Sequence, residues 1–161
     1  MMGHERVSVL FVCLGNICRS PMAEITFTEL LRQKGISHEW KVDSAGTAGY
    51  HTGDAPDSRS VSTCKKFLGN DINVKFKARQ VKKTDFNEFQ YILCMDESNL
   101  DDLLEIRPKN STAVVKLLGQ FDPEGDTIIK DPYYGGLNGF EHNFNQVKRS
   151  LEAFISYVQS K

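Results

Sequence analysis

Val7-Ser8-Val9-Leu10-Phe11-Val12-Cys13-Leu14-Gly15-Asn16-Ile17-Cys18-Arg19-Ser20-Pro21 is the stretch from which the fold can be read. Its first six residues form a short apolar run rich in β-branched and aromatic side chains, as a strand covered on both faces should be. Pro21 is a favoured opening residue of a helix, so a tight loop must lie between the two elements. A strand-loop-helix turn of this kind aims several backbone N–H groups and the positive end of a helix, worth about half an elementary charge, at one small volume. An anion site is expected there.

Cys13 opens that loop and Arg19 closes it. A thiol of pKa about 8.5 is lowered to roughly 3.5–7.5 beside a helix N-terminus and a cation, which makes Cys13 a candidate thiolate nucleophile. Arg19 offers a rigid fork of N–H donors suited to two oxygens of a phosphoryl group. Gly15 permits close backbone approach, and Asn16 and Ser20 carry side chains able to bond within the loop.

Working outward, Ala23, Phe27, Leu30 and Leu31 make a helical stripe that Gly35 ends, and Glu39 to Ser44 alternates as a second strand. Ala45 to Pro56 is a Gly/Ser/Thr loop interrupted by Tyr50 and His51. Asp57 caps a helix with Val61, Cys64 and Leu68 inward and Gly69 near its end. Lys75, Lys77, Arg79, Lys82 and Lys83 read as a solvated basic rim, with attraction of phosphoproteins as the alternative. Phe89 to Met95 is the third strand, with Asp96 at its C-terminal end. Ser98 is expected to cap a short helix that Pro108 terminates, and Thr112 to Leu118 is the fourth strand. A polar loop from Gln120 to Gly139 leads to a last helix carrying Phe140, Phe144, Val147, Leu151, Phe154, Ile155 and Val158 on one face. Strands alternating with helices imply one α/β domain over 1–161: an open four-stranded parallel sheet, helices on both faces, and the phosphate-binding loop after the first strand.

The bulk properties leave recognition to local chemistry. The 161 residues carry 20 basic against 21 acidic side chains, a net charge of −1, so nothing favours nucleic acid or an acidic membrane surface. No apolar run reaches a membrane span, and residues 1–6 lack the apolar stretch of a signal peptide, so a cytoplasmic protein is expected. The four cysteines are too scattered for a disulfide framework. The Cys13/Cys18 pair has no matching ligand pair for zinc, and no metal or cofactor is called for.

The string from Val9 to Glu24 resembles the Cys-x5-Arg-Ser/Thr phosphate loop of the low-molecular-weight protein tyrosine phosphatases. Asp131-Pro132-Tyr133-Tyr134-Gly135 resembles the Asp-Pro-Tyr-Tyr segment of the same family, in which the aspartate protonates the departing oxygen. The resemblance runs through Asp43-Ser44 and Tyr91 to Asn99 and is weakest from Gln120 to Lys130. It implies that Cys13 attacks phosphorus while the amides of Leu14, Gly15, Asn16, Ile17, Cys18 and Arg19, with the Arg19 guanidinium, hold the equatorial oxygens. Asp131 donates the proton to the leaving group, and near a bound dianion its carboxyl would be raised, as a general acid requires. Tyr50, Tyr133 and Tyr134 are implied as walls for a flat phenyl ring.

Cys18 matches a cysteine that in the family forms a reversible disulfide with the nucleophile; packing beneath the loop is the alternative. Asn16, Ser20 and Ser44 match residues that there bond to one another and stabilise the thiolate. Phe76 stands where many relatives carry a histidine, so that network either ends at Ser44 or recruits another group. The implied partners are phosphotyrosine proteins and small aryl phosphates, with inorganic phosphate or vanadate as competitors. Three alternatives share parts of this pattern. Thiol-dependent arsenate reductase needs downstream resolving cysteines, and neither Cys64 nor Cys94 belongs to a close pair. Protein-arginine phosphatases of the same fold commonly have Thr at the place of Ile17. A non-catalytic phosphate-binding module could dispense with Cys13 or Asp131.

Overall fold

The apolar run becomes strand β1 (Val7–Cys13), and in this computed structural model it is hydrogen-bonded on both sides. The structure describes residues 6–132 and 136–161. One edge of β1 pairs in parallel with β2 (Trp40–Gly46), from Val7 opposite Trp40 to Cys13 opposite Gly46. The other pairs with β3 (Tyr91–Cys94), which carries β4 (Val114–Leu117) on its far side. The order is therefore β2-β1-β3-β4. Successive connections leave β1 in opposite directions, so a crevice opens at its C-terminal end, where ligands of open α/β sheets bind. Cys13 stands at that end.

The period of two along β1 divides the core. Val9 and Phe11 face one side, where α1 (Arg19–Gln33), α2 (Ser58–Leu68) and α5 (Gly136–Gln159) pack. Leu10 and Val12 face the other, against Phe86 of α3 (Asp85–Glu88) and Leu103 of α4 (Glu97–Ile106). Phe154 of α5 is an aromatic hub, with ring centroids of Trp40, Phe27, Tyr91 and Phe121 at 5.2–5.9 Å. The expected stripe holds: Phe140, Phe144, Val147, Leu151, Phe154 and Ile155 are all buried, and Val158 is half-buried. Among the described residues no helix is long and apolar enough to cross a membrane.

Several element boundaries differ from the sequence reading. Helix α1 begins at Arg19, two residues before Pro21, because proline is tolerated anywhere in a first turn. Helix α4 is capped by Asp96 rather than Ser98: Asp96 Oδ1 accepts from the Asn99 N–H at 2.9 Å and Asn99 Oδ1 from the Asp96 N–H at 3.2 Å. In α2, Cys64 is buried, but Val61 and Leu68 are only half-buried. Ser60 and Thr63 go inside instead, since their hydroxyls reach the Cys18 and Arg59 carbonyls. The four-residue α3 was not anticipated. Helix α5 starts at Gly136, ahead of the expected Phe140, where tertiary contacts override two glycines: Gly139 lies against Pro132, and Asn143 Nδ2 donates to the Lys130 carbonyl at 2.7 Å. Those contacts tie the start of α5 to the segment carrying Asp131.

Candidate active site

Between β1 and α1 the chain turns so that its carbonyls are taken up from outside. The Cys13 and Leu14 carbonyls accept from the Thr47 and Ala48 N–H groups, both at 2.9 Å, and the Ile17 carbonyl from Asp57 at 2.7 Å. The Cys18 carbonyl accepts from Met22 N–H and from Ser60 Oγ. Among the described residues all peptide bonds are trans, so each such carbonyl turns the following N–H to the opposite side of the loop. Residues 14, 15, 18 and 19 thus present amides away from the framework. Asn16 sits between them at φ +60°, the one non-glycine residue of the described chain in the left-handed region. Gly46 lets the loop pass over the end of β2: a Cβ there would lie 2.7 Å from the Leu14 carbonyl oxygen and 3.0 Å from the Asn16 nitrogen.

Arg19, the first residue of α1, is 3 % exposed. Its Nη1 donates to Asp96 Oδ2 at 2.6 Å and to the Ile129 carbonyl at 3.0 Å, while Nη2 stands 3.9 Å from Asp131 Oδ2. Asp96 divides its work, one oxygen capping α4 and the other holding the guanidinium. The fork is thereby pinned from one side, with its orientation set by a charge-assisted bond.

Cys13, Leu14, Gly15, Ile17, Cys18, Arg19, Tyr50, His51 and Asp131 line one cleft of about 280 Å³. This is near the lower end for small-molecule sites and suits a single ring bearing an anion. Tyr50, 76 % exposed, stands at its mouth. Tyr133 and Tyr134 lie outside the described residues. Asn16 is part of the loop but its side chain turns away behind it: Nδ2 donates to Ser20 Oγ at 2.8 Å and to Ser44 Oγ at 3.0 Å, and Oδ1 accepts from the Arg79 N–H at 3.0 Å. Ser20 Oγ stands 3.0 Å from Cys13 Sγ. Where the sequence left two possibilities open, the network does not stop at Ser44: its hydroxyl donates to Glu24 Oε1 at 2.5 Å. Phe76 has no polar group to offer and packs half-buried against the larger core cluster.

The remaining thiols are held protonated. Burial pushes Cys18 up to about 12, helped by the charges of Asp57, Cys13 and Asp131. Burial likewise raises Cys64 and Cys94 to about 12. Glu24 is raised to about 7 by burial and by Asp43, against the opposing pull of its Ser44 bond and Arg79. No group of metal-binding side chains forms among the described residues.

Asp96, His51, Gly46 and Glu24 also stand at the site, beyond the residues that the sequence singles out. His51 lies over Gly15, and its Nδ1 is 3.1 Å from Asp54 Oδ2. Only Asp96 had a signal in the sequence, its place at a strand's C-terminal end.

A family model described as low molecular weight phosphotyrosine protein phosphatase matches residues 8–161. A protein of that name from Homo sapiens is 49 % identical over 150 residues, covering 92 % of this chain and 93 % of its own. A protein tyrosine phosphatase from Entamoeba histolytica, solved with Hepes in its active site, superposes with a TM-score of 0.88 at 34 % identity, covering 96 % of this chain and 97 % of its own. A Drosophila arginine phosphatase superposes with a TM-score of 0.85, also at 34 % identity, covering 93 % and 96 %. With nearly its whole length matched in sequence and in fold, the chain belongs to the low molecular weight phosphotyrosine protein phosphatase family.

Proposed function

We propose that the chain, acting as one domain over 1–161, hydrolyses phosphotyrosine in proteins, and small aryl phosphates, through a cysteinyl-phosphate intermediate. The observation that carries the reading is the meeting of Cys13, Arg19 and Asp131 on one cleft, with Asp131 Oδ2 3.9 Å from the guanidinium. Cys13 Sγ attacks phosphorus in line and the P–O bond to the phenol breaks as Asp131 gives its proton to the leaving oxygen. The loop amides and Arg19 hold the three equatorial oxygens. Water then attacks phosphorus, losing a proton to the Asp131 carboxylate, and the S–P bond breaks to release inorganic phosphate and the thiolate. The positive charge comes from Arg19 and the amides, so the residues ask for no metal.

The deciding experiment is a panel of peptides differing only in the phosphorylated residue. Phosphotyrosine is expected to be hydrolysed fastest, with vanadate competitive; equal rates on phosphoserine would remove the role given to the apolar walls. The likeness to an arginine phosphatase favours one second reading, hydrolysis of phosphoarginine. Ile17 on the cleft supports the aryl substrate, because its aliphatic side chain offers apolar surface to a ring and no acceptor to a guanidinium. Faster release from phosphoarginine would reverse the order.

Cys18 borders the same cleft as Cys13, and we give it a protective role. Peroxide would convert the Cys13 thiolate to a sulfenic acid, and the Cys18 thiol would condense with it, expelling water and leaving a reducible disulfide. Cys18→Ser is expected to regain several-fold less activity than the parent when dithiothreitol follows peroxide. Equal recovery would leave Cys18 as packing beneath the loop. The free state of all four cysteines supports a reducing, cytoplasmic setting.

A further inference from the structure

The hydrogen bonds behind the loop have a direction that can be read from their donors. A backbone N–H can only donate, so the Arg79 N–H at 3.0 Å fixes Asn16 Oδ1 as the atom facing it and Nδ2 as the atom facing the serines. Nδ2 has two protons and gives one to Ser20 Oγ and one to Ser44 Oγ. Each hydroxyl, having accepted a hydrogen bond, has its own proton left to donate. Ser20 has Cys13 Sγ at 3.0 Å, with the Ala45 carbonyl at 3.4 Å as the longer option. Ser44 has Glu24 Oε1 at 2.5 Å, the short end of the range for a hydroxyl on a carboxyl group. The chain therefore has two termini, and both are atoms that take a proton.

We propose that Glu24 is a positioning residue for Cys13, the distal acceptor of a directed chain Glu24–Ser44–Asn16–Ser20–Cys13 that holds the loop in its working shape. Ser20 and Glu24 are four residues apart on α1, so one helical turn carries the distal acceptor and the serine that meets the sulfur, and these two cannot drift relative to one another. The middle passes through Asn16, whose left-handed backbone is unfavourable for a side-chain-bearing residue and must be held by its contacts. Were Glu24 not there, the Ser44 proton would lose its acceptor. The hydroxyl would then turn, and the Asn16 amide would lose one of its two serine anchors. The charged groups facing Glu24 are Asp43 of β2 and Arg79, of opposite sign. Burial has already raised the carboxyl to about 7, and its oxygen accepts from Ser44 in either protonation state.

The role rests on the reading of Cys13 as nucleophile, and alkylation of Cys13 tests it without using hydrolysis. Glu24→Leu, which removes the acceptor, is expected to move the half-maximal pH of Cys13 alkylation by iodoacetate upward by about one unit. It should also lower kcat on an aryl phosphate about tenfold with little change in KM. Glu24→Gln, whose amide oxygen still accepts from Ser44, should recover most of both losses. A folded Glu24→Leu protein with the parent's alkylation profile and kcat would overturn the proposal, as would Glu24→Gln shifting the profile as far as Glu24→Leu. Should Glu24→Leu not fold, Ser44→Ala cuts the chain one bond nearer the loop, and there an unshifted profile overturns it. An alkylation shift found alongside undiminished hydrolysis by a Cys13→Ser protein would uphold Glu24's placement while removing the proposed mechanism.

Discussion

Cys13→Ser is expected to abolish hydrolysis of an aryl phosphate, with kcat falling by on the order of 10⁵–10⁶, the scale seen when the nucleophile of a covalent enzyme is removed. A serine hydroxyl is far less acidic than a thiol, and its partner at 3.0 Å, Ser20 Oγ, is a hydroxyl and no base. The loop amides and the Arg19–Asp96 pair do not depend on the sulfur, so vanadate or phosphate binding should persist. The check is paired, steady-state turnover beside isothermal titration with inorganic phosphate. Turnover within tenfold of the parent would remove Cys13 from the chemistry.

Asp131→Ala is the second large effect. A general acid contributes roughly 10²–10⁴ in rate, and the loss should depend on how badly the leaving group needs its proton. Phenyl phosphate, which expels a basic phenolate, should show the full loss, whereas p-nitrophenyl phosphate, with a far less basic leaving group, should show much less in the first step. Vanadate should bind at least as well, since the carboxylate 3.9 Å from the Arg19 guanidinium competes with an anion for the same charge. A full-rate variant on phenyl phosphate would refute the assignment. So would an equal loss on both substrates when the burst of phenol release is measured.

These two experiments probe residues that the chain order keeps far apart. Cys13 and Arg19 were legible together because a loop between a strand and a helix keeps its chemistry within a few residues. The strand of β1 could be recognised because a central strand has no solvent face to alternate with, and the stripe of α5 because a long amphipathic helix repeats its signal over several turns. Asp131 was reached through a resembling segment, and its loop carries no periodicity of its own. The fold supplies the reason it faces the cleft: Pro132 packs on Gly139 of α5, and Asn143 holds the Lys130 carbonyl.

The parts that escaped reading share a cause. Asp96 and Arg19 are separated by 77 residues, Arg79 and Asn16 by 63, and Ser44 and Glu24 by 20. Hydrogen bonds between elements leave no spacing rule, because the partner is set by strand order and not by sequence distance. The same holds for Gly46, which in sequence is one of many loop glycines and in space is the point where the phosphate loop crosses β2. Ser98 looked a plausible cap for α4 until the sheet placed Asp96 where one carboxylate could cap the helix and grip Arg19 together.

By itself the amino-acid order determined the parallel α/β arrangement, the anion-binding turn and the thiol-arginine pair within it, since each rests on local patterning of apolar, glycine and charged residues. Which carboxylates meet that pair, how Asn16 is held in its left-handed conformation, and where the hydrogen-bond chain behind the sulfur ends were decided only by tertiary structure. Those features depend on strands β1, β2 and β3 lying side by side, an adjacency fixed by burial of the whole sheet and written in no single segment.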